Sequence, residues 1–186
     1  GMNSVTSIDI GISPGNRTER GLSTVAAILS YCGKRLDAGG KQATFGWLGT
    51  YRHRYPEPAG LRLLSPCDVP DLSLLPARYA GQPSVRFGAG LELPFLHRGM
   101  NVLAWLARLG VVSNWAVHAG RLKRMADWFK EWGTDAGAMH VSVSGRDHLD
   151  VLQQREWVLV AGSGDGPYVP TLAAAALVRK LAAGTL

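Results

Sequence analysis

Two stretches of alternating apolar and polar residues constrain the fold of this chain most. They cover residues 5–12 (VTSIDIGI), where only Val5 is out of step, and residues 84–93 (SVRFGAGLEL). Alternation with a period of two is typical of a β-strand that buries one of its faces. Both segments are therefore predicted to be half-buried strands.

The remaining patterns predict a mixture of strands and helices. Asn16, followed by Glu19 three residues later, is an N-cap pattern for a helix that continues to about residue 31 and closes at Gly33. Further strands are predicted over residues 42–54, 61–64, 138–144 and 155–161, and further helices over residues 98–109, 114–132 and 170–183. The last two strands are predicted to form a hairpin with a long loop, and Pro170 to lie in the first turn of the last helix.

Length and composition favour one soluble globular domain over residues 1–186. The longest apolar run covers residues 172–178, whereas a membrane-spanning helix needs about 20 apolar residues. The first residues have neither the basic nor the apolar region of a signal peptide. The two cysteines, Cys32 and Cys67, are too few for a disulfide framework and too isolated for a zinc site. We therefore expect a cytoplasmic protein with two buried thiols.

The chain carries a formal net charge of +6, which is compatible with an anionic cofactor, an acidic substrate or nucleic acid. Six basic and two acidic residues fall within residues 93–132, where they share predicted helices with tryptophans at core-like spacing. Such a pattern is typical of the solvated back of a helix. No basic and aromatic recognition motif is present, and this argues against nucleic acid as a partner.

A Gly-x-Ser-x-Gly motif, Gly11 to Gly15, lies between a predicted strand and a predicted helix. This is the context of the nucleophile elbow of serine hydrolases, with Ser13 as the nucleophile. Aspartates and histidines that could complete a triad follow downstream: Asp127, Asp135, His140 and His148. Pro14, however, has no N–H for the oxyanion hole, and no earlier strands are present to build the hydrolase sheet.

Two further patterns have features of a cofactor site or a metal site. Residues 162–167 (GSGDGP) begin like a dinucleotide-binding loop, but Pro167 stands at the third glycine position and only about twenty residues follow. The five histidines show no i, i+4 pair with a carboxylate partner, so we expect no metal site. A glycine-rich turn and scattered histidines are the simpler interpretations.

Three segments resemble the saccharopine dehydrogenase family of reductases. They are residues 11–34 (GISPGNRTERGLSTVAAILSYCGK), residues 44–58 (TFGWLGTYRHRYPEP) and, most specifically, residues 164–184 (GDGPYVPTLAAAALVRKLAAG). The resemblance is to the part that follows the NAD(P)-binding Rossmann domain. It implies an α+β domain with a mixed, largely antiparallel sheet and helices packed on one face. It also implies that this domain supplies the substrate side of the cleft.

The glycine-rich βαβ unit of a Rossmann domain is absent from this sequence. Gly1 and Met2 resemble an expression scar or artificial start, so we expect an excised domain whose parent protein binds NAD or NADP in the missing half. Hydride transfer by this chain alone is then not expected. The resemblance further implies a homodimer and a small anionic substrate that is an amino acid or an imine.

A substrate carboxylate favours a helix N-terminus flanked by basic groups. The turn before the first predicted helix offers this arrangement, and basic residues at strand or loop ends are candidate partners. The candidate substrate-binding residues are Ser13, Asn16, Arg17, Arg52, Arg54, His97 and Arg98. The resemblance assigns none of them a catalytic role. A stand-alone module that binds a ligand or a protein without catalysis is the alternative, followed by a serine hydrolase that uses Ser13.

Overall fold

The computed structural model of the chain describes residues 2–36, 43–169 and 171–185. The strands are β1 (Ser4–Ser13), β2 (Arg35–Leu36), β3 (Thr44–Phe45), β4 (Tyr51–Arg54), β5 (Leu61–Pro66), β6 (Ser84–Ala89), β7 (Gly137–Arg146) and β8 (Leu152–Ala161). The α-helices are α1 (Leu22–Ser30), α2 (Asp71–Arg78), α3 (Pro94–Arg108), α4 (Ala119–Asp127) and α5 (Thr171–Ala182).

The two alternating segments form the centre of a six-stranded sheet with the order β4-β5-β6-β1-β7-β8. Strands β1 and β6 are parallel, and every other neighbouring pair in this sheet is antiparallel. Strands β2 and β3 form a separate small ribbon. The chain is thus an α+β domain with a mixed, largely antiparallel sheet, as the sequence predicts.

The apolar residues of the alternating strands face the helices. Ile8 and Ile10 of β1 and Val85 of β6 pack against Leu72 of α2 in one buried cluster. Helix α3 lies on the same face of the sheet. Its His97 contacts Ser65 of β5, and Ser65 pairs with Ala89 of β6, which stands beside the apolar row of β1 on the same face. Burial of these side chains therefore fixes which way each strand faces.

A second buried cluster joins α1 to α3. Cys32, Trp47 and Ala104 form its centre. Gly33, which the sequence predicts as the helix end, has a φ of +73° and lies against the backbone of α3, where a Cβ would collide with the carbonyl of Ala104. The predicted burial of both cysteines is confirmed, and both are free thiols.

The sheet curls so strongly that its edge strand β4 returns over the face opposite the helices. His53 of β4 stacks on His140 of β7 with 3.7 Å between ring centroids, although three strands separate β4 from β7 in the sheet. Glycines make room for this approach. A Cβ at Gly11 would lie 2.7 Å from His140 Nδ1, and a Cβ at Gly88 would collide with the hydroxyl of Tyr51. The curl thus gives the sheet a concave, polar face.

The first helix begins later than the sequence predicts. Helix α1 starts at Leu22 with Gly21 at the N-cap, and no side chain caps it. Asn16 is therefore not an N-cap, and residues 16–21 form an irregular loop. The reason is tertiary, since the side chain of Asn16 bonds to a distant part of the chain, as described below.

The predicted strand over residues 42–54 is divided into two, and residue 42 lies outside the described residues. Trp47 and Gly49 adopt positive φ angles of 62° and 76°, which turn the chain between β3 and β4. A Cβ at Gly46 would collide with the carbonyl of Tyr31, so the close backbone approach predicted from its glycines is confirmed at this position.

Three other elements differ from expectation. Helix α2 was not predicted, because Pro76 lies inside it and prolines are frequent around it. The predicted helix over residues 114–132 consists of α4 with a 3-10 turn on each side. The hairpin loop between β7 and β8 is short, since Asp147 accepts N–H bonds from Leu149 and Val151 and closes it. Pro170 lies outside the described residues.

Candidate functional site

Asn16 is buried and ties its loop to the opposite side of the domain. Its Nδ2 donates to the carbonyls of Phe129 at 2.7 Å and Lys130 at 3.1 Å, and its backbone N–H donates to Glu92 Oε2 at 2.6 Å. The side-chain bonds use Nδ2 as the donor, so a structural role explains the burial of Asn16 without a substrate.

Glu92 is the centre of this junction. It also accepts bonds from the N–H and the hydroxyl of Thr134, and it lies 3.4 Å from the guanidinium of the buried Arg62. Burial raises the pKa of Glu92, but the hydrogen bonds from Asn16 and Thr134 outweigh it and hold the pKa below its ordinary value. The ionised carboxylate therefore fixes the loop after β1 against β5 and the start of β7.

The predicted arginines lie on the surface. Arg17 forms an exposed ion pair with Glu131 at 3.3 Å. Arg52 and Arg54 are exposed on β4 and alternate with His53, so they face away from the concave side of the sheet. Within the described ranges, no hydrogen bond or ion pair connects any two of the seven predicted site residues.

His97 is fully buried in α3. Its Nδ1 accepts the N–H of Leu91 at 3.3 Å, so its Nε2 carries the proton and donates to Ser65 Oγ at 2.9 Å. Burial lowers the pKa of His97 to about 4, and the neighbouring charge of Arg98 adds to the effect. His97 is thus a neutral imidazole that anchors α3 to the sheet, while Arg98 is exposed and donates to Asn101 at 3.3 Å.

Ser13 lies at the end of β1 and is fully buried. Its hydroxyl has no hydrogen-bond partner among the described residues. A serine nucleophile requires a hydrogen-bonded base, and neither His97 nor His140 bonds to it. This geometry does not favour the hydrolase alternative.

The concave face brings together a different set of titratable residues, here named the concave cluster. They are Asp9, His53, Tyr55, Arg86, His140 and Glu156. Strand register aligns three of them, since Asp9 of β1 stands opposite Arg86 of β6 and, through β7, in one row with Glu156 of β8. The curl then places β4 above this row.

His140 occupies the buried base of the concave cluster. Its Nδ1 lies 2.8 Å from the hydroxyl of Tyr55, and its Nε2 lies 4.0 Å from Asp9 Oδ2. With a proton on Nε2, which faces the carboxylate, Nδ1 accepts the hydrogen bond from Tyr55. Tyr55, His140 and Asp9 thus form a row of polar groups from the interior towards solvent, with a hydrogen bond between Tyr55 and His140.

Asp9 and Arg86 close the row at the surface. Arg86 Nε donates to Asp9 Oδ1 at 2.9 Å, and the second guanidinium nitrogen donates to Oδ2. Burial raises the pKa of Asp9, but the nearby imidazole of His140 and the hydrogen bonds from Arg86 outweigh it and lower the pKa to about 2. The side chains of Asp9 and Arg86 are 28% and 53% exposed, so the pair reaches solvent.

His53 and Glu156 complete the opposite wall. His53 Nε2 lies 3.9 Å from Glu156 Oε1, and its ring is stacked on His140. Partial burial lowers the pKa of His53, and the proximity of His140 adds to this. The cluster combines an exposed guanidinium with imidazoles and a carboxylate, which can hold an anion and transfer a proton.

The sequence contains one signal for this site. Asp9 interrupts the apolar character of β1 on the same face as Gly11, and Gly88 stands opposite Gly11 on β6. Paired glycines in adjacent strands mark the close approach of bulky side chains. His140 is one of the scattered histidines of the sequence, whereas no local pattern singles out Tyr55 or Arg86 as a site residue.

Among residues 2–36, 43–169 and 171–185, no group of three or more His, Cys, Asp or Glu side chains is placed to hold a metal ion. No helix in that part of the chain has the length and apolar character to cross a membrane. No protein-family model matches the chain, and no curated protein matches it.

Proposed function

We propose that this chain is the substrate-binding and dimerisation part of an NAD(P)-dependent oxidoreductase that resembles the saccharopine dehydrogenases and acts on amino-acid-like or imine substrates. NAD or NADP is held by a Rossmann domain that packs against this chain. The setting is the cytoplasm, in keeping with two free thiols. The sequence motifs motivate the proposal, and the α+β fold is compatible with it.

Helix α5 carries the proposal. It lies in the segment with the most specific resemblance, yet none of its residues is buried. Leu172 is 59% exposed and Leu181 is 69% exposed. An isolated helix of about 12 residues is marginal in water, and most helical stability comes from packing of an apolar face. An uncovered helix of this composition is therefore expected to pack on another domain, which we propose to be the Rossmann domain.

Strand β8 supports the dimer. It is ten residues long and forms one edge of the six-stranded sheet, so its outer backbone groups have no strand partner within the described sheet. Long unprotected edges are templates for pairing with another chain. Trp157, on the sheet face beside this edge, is 52% exposed. A second copy that pairs along β8 would satisfy the edge and cover this indole.

The concave cluster supplies groups that the substrate half of such an enzyme needs. Arg86 can bind a substrate carboxylate, and a proton can pass between the substrate and the row formed by Asp9 and His140. Hydride transfer itself would come from the nicotinamide, which the partner domain would hold.

The experiment is a fluorescence titration of NADPH with the product of the complete reading frame that encodes this chain, alongside this chain alone. The proposal predicts that the fluorescence of NADPH increases saturably with the product of the complete reading frame and does not change with this chain alone. Absence of NADPH and NADH binding by the longer product would contradict the proposal. The function would then be that of a stand-alone ligand-binding module. A cavity between α1, α3 and α4 favours this alternative.

A further inference from the structure

This cavity lies between α1, α3 and α4, away from the concave cluster. Its volume is about 320 Å³, at the lower end of the range typical of small-molecule sites. Apolar side chains from all three helices line it, among them Val25, Ile28, Leu96, Met100, Leu122 and Ala126. A ligand that fits this space needs an apolar body.

Arg20, in the loop before α1, also lines the cavity and is half-buried. One of its terminal nitrogens donates to the carbonyl of Gly15 at 3.3 Å. No carboxylate of the described residues lies within 4.0 Å of it. Burial lowers the pKa of the Arg20 guanidinium, and the charges of Glu92 and Asp127 partly offset this. Its remaining N–H groups are available to an anion.

The other charges around the cavity leave it cationic. Lys123 is neutralised by Asp127, whose carboxylate lies 2.7 Å from the ammonium group. Lys130 also lines the cavity, and the exposed Glu19 is the remaining carboxylate of the lining. Arg20 and Lys130 together outweigh Glu19, so the charge balance favours an anionic ligand over a cationic one.

We infer that this cavity binds a small carboxylate with an apolar body, with the carboxylate on Arg20 and the hydrocarbon part between the three helices. A ligand in this space removes apolar surface from water and forms dispersion contacts with the helices. The site lies within this chain alone, so binding does not depend on a nucleotide-binding partner. The inference therefore goes beyond the proposed function and is tested separately from it.

Isothermal titration calorimetry with three probes of equal chain length tests the inference. The probes are octanoate, 1-octanol and octylammonium, which share the apolar part and differ in the head group. We expect octanoate to bind one site per chain at least tenfold more tightly than either of the others, because an ion pair with Arg20 forms only with the carboxylate. Equal affinity for 1-octanol, or no saturable heat with octanoate, would overturn the inference.

Two variants locate the site. Arg20→Gln should weaken octanoate binding about tenfold or more and leave 1-octanol binding unchanged. Arg121→Gln removes the same charge from an exposed position of α4 and should change neither, which makes it the matched control. Ala126→Leu narrows the cavity and should weaken both probes, so it provides the test if Arg20→Gln does not fold. Unchanged octanoate affinity in Ala126→Leu, and in Arg20→Gln if that variant folds, would contradict the assignment.

Discussion

Substitution of Asp9 by asparagine tests the concave cluster most sharply. The carboxylate accepts two hydrogen bonds from Arg86 and faces Nε2 of His140. Asparagine keeps the shape and one acceptor oxygen but removes the charge. Arg86 is then left without its ion pair, and His140 loses the charge that fixes its proton on Nε2.

The magnitude follows from the pKa of Asp9. A decrease from 3.8 to about 2 on folding corresponds to an upper limit of about 2.5 kcal/mol of stability at neutral pH. Because the carboxylate is partly exposed, solvent screening reduces the expected loss in Asp9→Asn to about 1 kcal/mol. The folded state holds the lower pKa, so this stability is present above pH 3.8 and is lost as the pH falls towards 2.

Urea unfolding of the wild type and Asp9→Asn at a series of pH values between 7 and 3 measures this effect. We expect the difference in the free energy of unfolding to be largest at pH 7 and to shrink as the pH approaches 3. Asp165→Asn, at an exposed aspartate, is the control and should show little difference at any pH. A difference that does not change with pH would refute the electrostatic explanation.

Three further predictions concern stability. Gly11→Ala should lower the stability by about 1–3 kcal/mol, because a Cβ there overlaps an imidazole of the concave cluster. Gly99→Ala in α3, with open space around it, should raise the stability by about 0.5–1 kcal/mol. Thermal melts measure both changes. Glu92→Gln should cost about 3 kcal/mol in urea unfolding by leaving the Arg62 guanidinium buried and unpaired, and Arg62→Met in the same chain should recover part of the loss. The pKa of His97 is about 4 in the folded state and 6.5 in the unfolded state. Stability should therefore fall by up to about 3 kcal/mol as the pH decreases from 6.5 to 4. His97→Gln should remove this pH dependence in urea unfolding measured across that range.

The central strands of the fold could be predicted because their pattern is local. A period of two in β1 places Ile8 and Ile10 on one face and Asp9 on the other, and the structure follows this division. The glycines that turn or approach the backbone, such as Gly33 and Gly46, could be identified from the same sequence. In these segments the local preferences agree with the tertiary packing.

The candidate site could not be predicted, because it depends on the curl of the sheet. His53 and His140 are 87 positions apart, and no pattern within either strand indicates that β4 folds over β7. Asn16 shows a related limit. It has a suitable N-cap pattern, but its side-chain amide donates to carbonyls more than a hundred residues away, and the helix begins at Leu22.

Hydrogen exchange in α5 tests most directly whether this chain packs against a nucleotide-binding domain. Exchange of the α5 amides should be fast in this chain alone at low concentration. In the product of the complete reading frame it should slow by about tenfold or more, while the amides of β1 stay equally protected in both. Equal exchange of α5 in the two proteins would mean that no domain covers the helix, and this would contradict the proposed function.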